Sequence, residues 1–190
     1  MSTPAERLAF DADAYLAWEA EQREKHEYLR GEVFAMVGAR QEHVLVALNV
    51  ASALKQRLRG GPCRAYVSDM KLRVAAADAF FYPDVMVSCD ARDRVAEHYL
   101  EHPILIVEIL SPGTEAFDRG AKAAAYRLLP ALREYVLIDI AARRAEAYRR
   151  TEEGDWLLHD CRPEDGTCRF ASVEVSLAFD EIFEDLPPTD

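Results

Sequence analysis

The sequence lacks any run long and apolar enough to span a membrane. No stretch of its 190 residues reaches the ~18 consecutive apolar residues that a membrane helix requires. The first ten residues, MSTPAERLAF, contain no apolar core of signal-peptide length. We therefore expect a cytoplasmic protein without a membrane partner, whose thiols stay reduced.

Cysteine is scarce and has no metal-site spacing. The four cysteines, Cys63, Cys89, Cys161 and Cys168, form no C-x-x-C pair, and no histidine has zinc-finger spacing relative to them. A zinc site is therefore not expected. Cys89 ends an apolar run and should pack as a small hydrophobic side chain. Cys161 and Cys168 could approach each other across a turn, although nothing in the sequence requires it.

Basic residues are few relative to acids. Lys and Arg total 23 against 34 Asp and Glu, which gives a net charge of −11. This balance excludes a protein that coats nucleic acid by bulk charge, but it permits a local basic groove. The length and the 50% hydrophobic composition suffice for one real core, so we expect a single domain over residues 1–190.

Three segments have helical patterns. DADAYLAWEAEQREKHEYL predicts a helix capped by Asp11 or Asp13 that ends near Glu24. RQEHVLVALNVASALKQRLRG carries a broad apolar face and ends at a Gly-Gly pair. DRGAKAAAYRLLPALREY predicts a helix capped by Asp118 and broken or kinked at Pro130.

Strand patterns fill the intervals between these helices. The candidates are CRAYVSDMKLRV, FFYPDVMVSC, ILIVEIL and YVLIDI, with hairpins predicted in HEYLRGEVFAM around Arg30-Gly31 and between AEAYRR and WLLHDCR. ILIVEIL lacks alternation, which is typical of a central strand covered on both faces. The order of elements predicts an α/β (α+β) fold, with a central mixed sheet flanked by helices.

Two acids interrupt apolar strand patterns. Asp84 follows a proline in FFYPDVMVSC, and Glu108 lies near the end of PILIVEILSP. A buried carboxylate costs several kcal/mol unless something compensates its charge. If the two strands are neighbours, their alternation brings both acids to one face, where the carboxylates repel each other. A shared Mg²⁺ or Mn²⁺ ion removes that repulsion, and the backbone carbonyl of Ile109 is placed to add a third oxygen ligand.

A lysine on the next helix completes this group. Lys122 lies on the first turns after the VEIL strand, with Tyr126 one turn further along the same face. Lys122 could orient a water molecule or stabilise charge that develops on a phosphate. A solvated lysine paired with Asp118 is the simpler alternative, and Tyr126 is expected to pack beside it.

Several motifs together resemble a known family. HEYLRGEVFAMVGA, VSDMKLRV, FYPDVMVSCD, VEILSPGTEAFDRGAKAAAYR and LREYVLID resemble the Uma-two family of restriction-endonuclease-like proteins, of the PD-(D/E)XK nuclease superfamily. The resemblance runs from about Asp13 to Leu177. It implies a restriction-endonuclease-like core and a Mg²⁺-dependent endonuclease acting on nucleic acid, with DNA the first expectation.

The resemblance also implies roles for particular residues. Asp84 and Glu108 correspond to the motif's two acids, and Glu27 resembles an N-terminal acid that extends the metal site or orients water. The superfamily's usual lysine position holds Leu110 here, and the resemblance implies that Lys122 takes its place.

Other readings of the same residues remain open. SDMK offers Lys71 as a competing catalytic lysine, and Lys71 and Arg73 share a strand face that could contact nucleic acid. His43, at the start of a helix, could be a cap, a packed polar residue or part of the site. A restriction-like fold that has lost catalysis and serves as a binding or assembly module is the alternative function. We also expect a homodimer, since symmetric dimers are the commonest oligomers.

Overall fold

The computed structural model describes residues 6–7, 11–36 and 38–187. No helix among these residues has both the length and the apolar character needed to cross a lipid bilayer. The helices are α1 (Ala12–Glu19), α2 (Gln41–Arg57), α3 (Glu115–Phe117), α4 (Ala123–Tyr126) and α5 (Phe179–Ile182). The strands are β1 (Glu6–Arg7), β2 (His26–Leu29), β3 (Glu32–Ala35), β4 (Arg64–Val67), β5 (Lys71–Val74), β6 (Ala79–Phe81), β7 (Val85–Ser88), β8 (Tyr99–Leu100), β9 (Pro103–Ile109), β10 (Glu134–Asp139), β11 (Arg144–Arg150), β12 (Trp156–Cys161), β13 (Thr167–Phe170) and β14 (Val175–Ala178).

The strands of the described residues form two six-stranded sheets and a hairpin. The first sheet has the order β1-β3-β2-β6-β5-β8, the second has the order β12-β11-β10-β9-β7-β4, and β13 pairs with β14. Each large sheet contains one parallel pair, β5 with β8 and β9 with β10, among antiparallel neighbours. The predicted mixed-sheet α/β class is confirmed.

The second sheet is covered on both faces, as the pattern of ILIVEIL predicts. On one face, Leu105 and Val107 of β9 pack in a core with α2, α5 and the β13–β14 hairpin. On the other face, Ile106 packs in a second core with Phe81 of the first sheet and with α4. The strand ends near Asp84 and Glu108 therefore lie between the helical layer and the first sheet.

The FFYPDVMVSC run is two strands rather than one. It supplies β6 to the first sheet and β7 to the second, and the chain crosses between the sheets at Tyr82–Asp84. Pro83 cannot donate a ladder hydrogen bond, which favours a break at this point. Asp84 therefore lies immediately before β7, where the two sheets diverge.

The third predicted helix differs from expectation at both ends. It begins at Glu115 instead of Asp118, passes through a π-helical turn over Asp118–Lys122 and ends at Tyr126, before Pro130. The turn that precedes it is closed by the side chains of Ser111 and Thr114, whose hydroxyl oxygens lie 3.0 Å apart. Asp118 is thus inside the helix, and the prediction that it caps the helix is wrong.

The other local predictions mostly hold. Asp11 caps α1 by accepting a hydrogen bond from the Ala14 N–H at 2.9 Å, although the helix ends at Glu19 rather than near Glu24. Arg30 and Gly31 both have positive φ, 50° and 85°, as a tight β2–β3 hairpin requires. The β11–β12 hairpin is also confirmed.

Two cysteines are bonded to each other. Arg64 of β4 lies opposite Ser88 of β7, so the next residues outward, Cys63 and Cys89, face each other and form a disulfide. The expectation that the thiols stay reduced is therefore wrong for this pair, although Cys89 packs against the core as predicted. Cys161 and Cys168 are buried free thiols within hydrogen-bonding reach of each other.

Candidate active site

The ends of β7 and β9 hold Asp84 and Glu108 against each other. The last paired residues of these antiparallel strands are Val85 and Val107, and the two acids come one residue further along. The backbone N–H of Asp84 donates to Glu108 Oε2 at 3.1 Å. In return, the backbone N–H of Ile109 donates to Asp84 Oδ2 at 2.8 Å. The two strands are neighbours, as the convergence of the acids requires.

Lys122 projects from the π-helical turn into the same place. Its ammonium lies 2.9 Å from Glu27 Oε1, 3.2 Å from Glu108 Oε1 and 3.4 Å from Asp118 Oδ1. The Lys122 side chain is only 8% exposed. The alternative of a solvated lysine is therefore wrong, and the ion pair with Asp118 is one of three. The structure brings Glu27, Glu108 and Lys122 together and adds Asp118, which sequence reasoning assigned to a cap.

These buried groups perturb one another. Burial raises the pKa of Glu108 well above its ordinary value, and Lys122 opposes that shift. Burial likewise raises the pKa of Glu27 and of Asp118. Burial lowers the pKa of Lys122, but the three carboxylates outweigh it and raise that pKa well above its ordinary value. The Lys122 ammonium thus forms ion pairs with three carboxylates. Asp84 is a fourth acid of the site and is not among the partners of Lys122.

His43, on the first turn of α2, reaches this site from the helical layer. Its Nε2 lies 3.1 Å from Asp84 Oδ2, and the ring also hydrogen-bonds to the backbone of Ile109. Burial lowers the pKa of His43, but the Asp84 hydrogen bond and charge outweigh it, so the pKa is raised. The His43 and Asp84 side chains are 18% and 15% exposed, against 3% for Glu108. The site is therefore accessible from the side of His43 and Asp84.

Two buried tyrosines, Tyr126 and Tyr135, donate hydrogen bonds to the acidic residues of the site. The Tyr126 hydroxyl donates to Glu108 Oε1 at 2.8 Å, and the Tyr135 hydroxyl donates to the Asp118 carbonyl at 2.9 Å. Burial, followed by the charge of Glu108, raises the pKa of each hydroxyl well above its ordinary value, so both remain donors. Tyr126 packs beside Lys122 as expected, but its bond to Glu108 has no signal in the sequence beyond the four-residue spacing.

Lys71 and Arg73 lie on the other face of the first sheet from Glu27. Arg73 is opposite Phe80, and Phe80 is opposite Tyr28, so these side chains share the face that packs on α1. Glu27 precedes Tyr28 in β2 and points to the opposite face. The structure therefore does not bring Arg73, or Lys71 two residues before it, onto the sheet face that holds the site.

The SDMK alternative is also separated from the acids. Asp69 forms an ion pair with Lys25, and the Lys71 ammonium lies 5.4 Å from the centroid of the Tyr82 ring. Neither Asp69 nor Lys71 contacts Asp84 or Glu108 in the described part of the chain.

The donor set suits a hard divalent cation. The carboxylates of Asp84 and Glu108 and the carbonyl of Ile109 are oxygen donors, which Mg²⁺ and Mn²⁺ prefer. Within residues 6–7, 11–36 and 38–187, no three His, Cys, Asp or Glu side chains converge as a complete metal-binding group. The ligand set of two carboxylates and the Ile109 carbonyl stays a prediction, and Mg²⁺ usually keeps several water ligands beside so small a set.

Comparison with known proteins identifies the family. The model of the family described as "Uma2: Putative restriction endonuclease" matches residues 12–179. This chain belongs to the Uma2 family. Uma2 is the Uma-two family whose motifs the sequence resembles, so that prediction is confirmed.

Two curated relatives extend over nearly the whole chain. The uncharacterized protein slr1290 of Synechocystis sp. is 36% identical over 185 residues, which cover 97% of this chain and 96% of the relative. A second uncharacterized Synechocystis protein, sll1609, is 32% identical over 166 residues, which cover 86% and 94%. This Uma2 chain is therefore similar to both over more than nine tenths of their length.

One solved structure shares the fold. The structure described as "a putative nuclease belonging to DUF820" from Anabaena variabilis aligns with a TM-score of 0.75, covering 92% of this chain and 97% of that one. The two chains are 17% identical, so the likeness concerns the fold. The restriction-endonuclease-like fold predicted from the Uma2 motifs is confirmed.

Proposed function

We propose that this Uma2 protein is a Mg²⁺-dependent endonuclease that hydrolyses phosphodiester bonds in nucleic acid, with DNA as the expected substrate. The observation that carries the proposal is the convergence of Asp84, Glu108 and Lys122 on one site that is accessible from the side of Asp84. Mn²⁺ is the expected substitute for Mg²⁺. The family description and the fold of the Anabaena protein point to the same class of reaction.

The cation would be held by Asp84, Glu108 and the carbonyl of Ile109. When bound, it supplies a Lewis acid that polarises a phosphoryl oxygen and lowers the pKa of a bound water molecule. The protein contributes the fixed positions of these oxygens. The N–H groups of Asp84 and Ile109 hold the two carboxylates from opposite strands, and His43 holds Asp84 from the helical layer.

Lys122 supplies a fixed positive charge beside the scissile phosphate. Its ion pairs with Glu27 and Asp118 hold the ammonium in place before substrate binds, so little reorganisation accompanies the reaction. Glu27 thereby acts as a positioning residue for Lys122. Tyr126 fixes the orientation of the Glu108 carboxylate through its hydroxyl.

Cleavage assays on single- and double-stranded DNA and on RNA test this proposal. We expect cleavage with Mg²⁺ or Mn²⁺, loss of cleavage with a chelator, and a fall of about 10²-fold or more in Asp84→Asn, which keeps the side-chain shape but removes the charge. Asp180→Asn, an exposed acid on α5, is the matched control and should cleave like the wild type. Wild-type protein that cleaves none of these substrates would contradict the proposal.

A catalytically inactive binding or assembly module is the second candidate. The net charge of −11 favours it, because a strongly acidic protein repels polyanionic nucleic acid. On this alternative, neither wild type nor Asp84→Asn cleaves labelled DNA or RNA, with or without Mg²⁺. The homodimer expected from the sequence remains a prediction, which light scattering at micromolar concentration would test.

A further inference from the structure

We propose that the site takes one divalent cation and not two, because the Lys122 ammonium occupies the position of the second cation. The inference rests on the proposed function for the first cation, held by Asp84, Glu108 and Ile109. It concerns the neighbouring position, which Glu27, Glu108 and Asp118 surround.

The three carboxylates surround the ammonium as ligands surround an ion. They come from three separate elements, β2, β9 and the π-helical turn, and converge on Nζ at 2.9, 3.2 and 3.4 Å. An ammonium group has three N–H donors and no acceptor. Its three donors therefore match its three carboxylate neighbours, and the position is occupied by a cation that is part of the chain.

Glu108 connects the two cation positions. Its Oε1 faces Lys122 and Tyr126, while its Oε2 faces the backbone of Asp84. In two-metal sites, the two ions lie about 3.5–4 Å apart and clamp the attacking and leaving oxygens. A carboxylate that turns one oxygen toward each position suits such a pair, and here one of the two positions holds the ammonium.

The distances around Nζ are those of an ammonium among its acceptors. Oxygen ligands lie ~2.0–2.6 Å from Mg²⁺ or Ca²⁺, whereas the three carboxylate oxygens lie 2.9, 3.2 and 3.4 Å from Nζ. Removal of the ammonium leaves three buried carboxylates without a counter-charge, and their oxygens are the donors that a hard cation prefers.

The stoichiometry of Mn²⁺ binding to the full chain tests the inference. Calorimetric titration, with free Mn²⁺ counted by electron paramagnetic resonance, should give one ion per wild-type chain and two per Lys122→Met chain. Methionine keeps the length of the side chain and removes its charge. Lys71→Met is the matched control, since it removes a lysine charge elsewhere and should still bind one ion.

A double variant assigns the second ion to this position. Lys122→Met combined with Glu27→Gln should return the count to one, because Glu27 belongs to the second position only. Circular dichroism checks that each variant is folded. If Lys122→Met does not fold, the wild-type count decides, since one ion supports the inference and two ions overturn it.

The outcomes separate this inference from the proposed function. Two ions on a wild-type protein that cleaves would overturn the single-cation inference and leave the nuclease proposal standing. One ion on folded Lys122→Met would overturn the assignment of Lys122 to the second cation position. No Mn²⁺ on the wild type, together with no cleavage, would overturn both.

Discussion

Tyr126 and Lys122 donate hydrogen bonds to the same oxygen, Oε1 of Glu108, at 2.8 and 3.2 Å. They lie four residues apart, on either side of the junction between the π-helical turn and α4. One helix thus supplies both a charged and an uncharged donor to one carboxylate. The two contributions are separable by mutation.

Tyr126→Phe removes the uncharged donor. We expect a loss of about 1.5–3 kcal/mol of stability, the scale of a hydrogen bond to a charged group, and a fall of about 10-fold in the cleavage rate. Urea unfolding and single-turnover cleavage measure the two effects. Tyr135→Phe is the matched control, because its hydroxyl bonds the Asp118 carbonyl instead of a carboxylate. Tyr135→Phe should lose about 0.5–1.5 kcal/mol of stability and retain more of the cleavage rate than Tyr126→Phe. An equal fall in the cleavage rate of both variants would contradict a specific role for Tyr126.

Lys122→Ala and Glu108→Gln should separate rate from metal affinity. Lys122→Ala should cut cleavage about 10²-fold or more and retain Mg²⁺ binding at the Asp84 position, since it removes one preorganised charge. Glu108→Gln should weaken Mg²⁺ binding itself, and cleavage with it. Calorimetric titration beside the rate measurements distinguishes them.

Lys71→Ala is the control for the lysine assignment. It should retain full cleavage, because Lys71 lies away from the sheet face that holds Glu27. If Lys71→Ala abolished cleavage and Lys122→Ala did not, the SDMK strand would belong to the site.

Glu146 should contribute stability that is lost in acid. Arg119, in the π-helical turn, donates to both Glu146 oxygens at 2.6 and 3.1 Å, and this hydrogen bonding lowers the Glu146 pKa. A lowered folded-state pKa gives stability that is present above the ordinary value of 4.5 and is lost as the pH falls through the folded-state pKa. The free energy of unfolding of the wild type should exceed that of Glu146→Gln by about 1–2 kcal/mol at pH 7, and the difference should shrink as the pH falls below 4.5. Urea unfolding at neutral and acidic pH checks this; a gap that persists undiminished in acid would contradict it.

Reduction of the Cys63–Cys89 disulfide should lower stability and spare activity. The bond closes a loop with a sequence separation of 26 residues, for which chain entropy predicts a loss of about 3.5 kcal/mol on reduction. Cleavage should persist, because Cys89 and Asp84 flank opposite ends of β7. Unfolding with and without reductant measures the effect, and the double variant Cys63→Ser, Cys89→Ser should not respond to reductant. Stability that is equal in both conditions for the wild type would show that the bond does not form.

The two central acids could be predicted from the sequence because their signals are local. Asp84 and Glu108 each interrupt an apolar run, and a period of two predicts which neighbours share their face. The ion pair between Lys122 and Glu27 could not be predicted in this way, because it depends on the pairing of β2 with β6, which no local pattern shows. The Cys63–Cys89 bond likewise depended on the register of β4 against β7. His43 could not be told from a helix cap, because its contact with Asp84 joins elements 41 residues apart.

The third helix shows where local patterns fail. Asp118 has the residue type and position of an N-cap, and its spacing from Lys122 fits an ordinary surface ion pair. The π-helical turn that includes both residues has no local pattern of its own in the sequence, since a π turn is a rare i→i+5 bulge within an α-helix.

The π-helical turn makes chain length as important as residue identity between Asp118 and Tyr126. An α-helix closes each turn with an i→i+4 hydrogen bond, whereas a π turn closes over one additional residue. Deletion of one residue within Asp118–Lys122 would therefore leave an ordinary α-helical turn and change the placement of Asp118 relative to Lys122, even in a chain that kept every acid, the lysine and the tyrosine. A homologous protein one residue shorter in this segment would have to hold its lysine among the acids in another way.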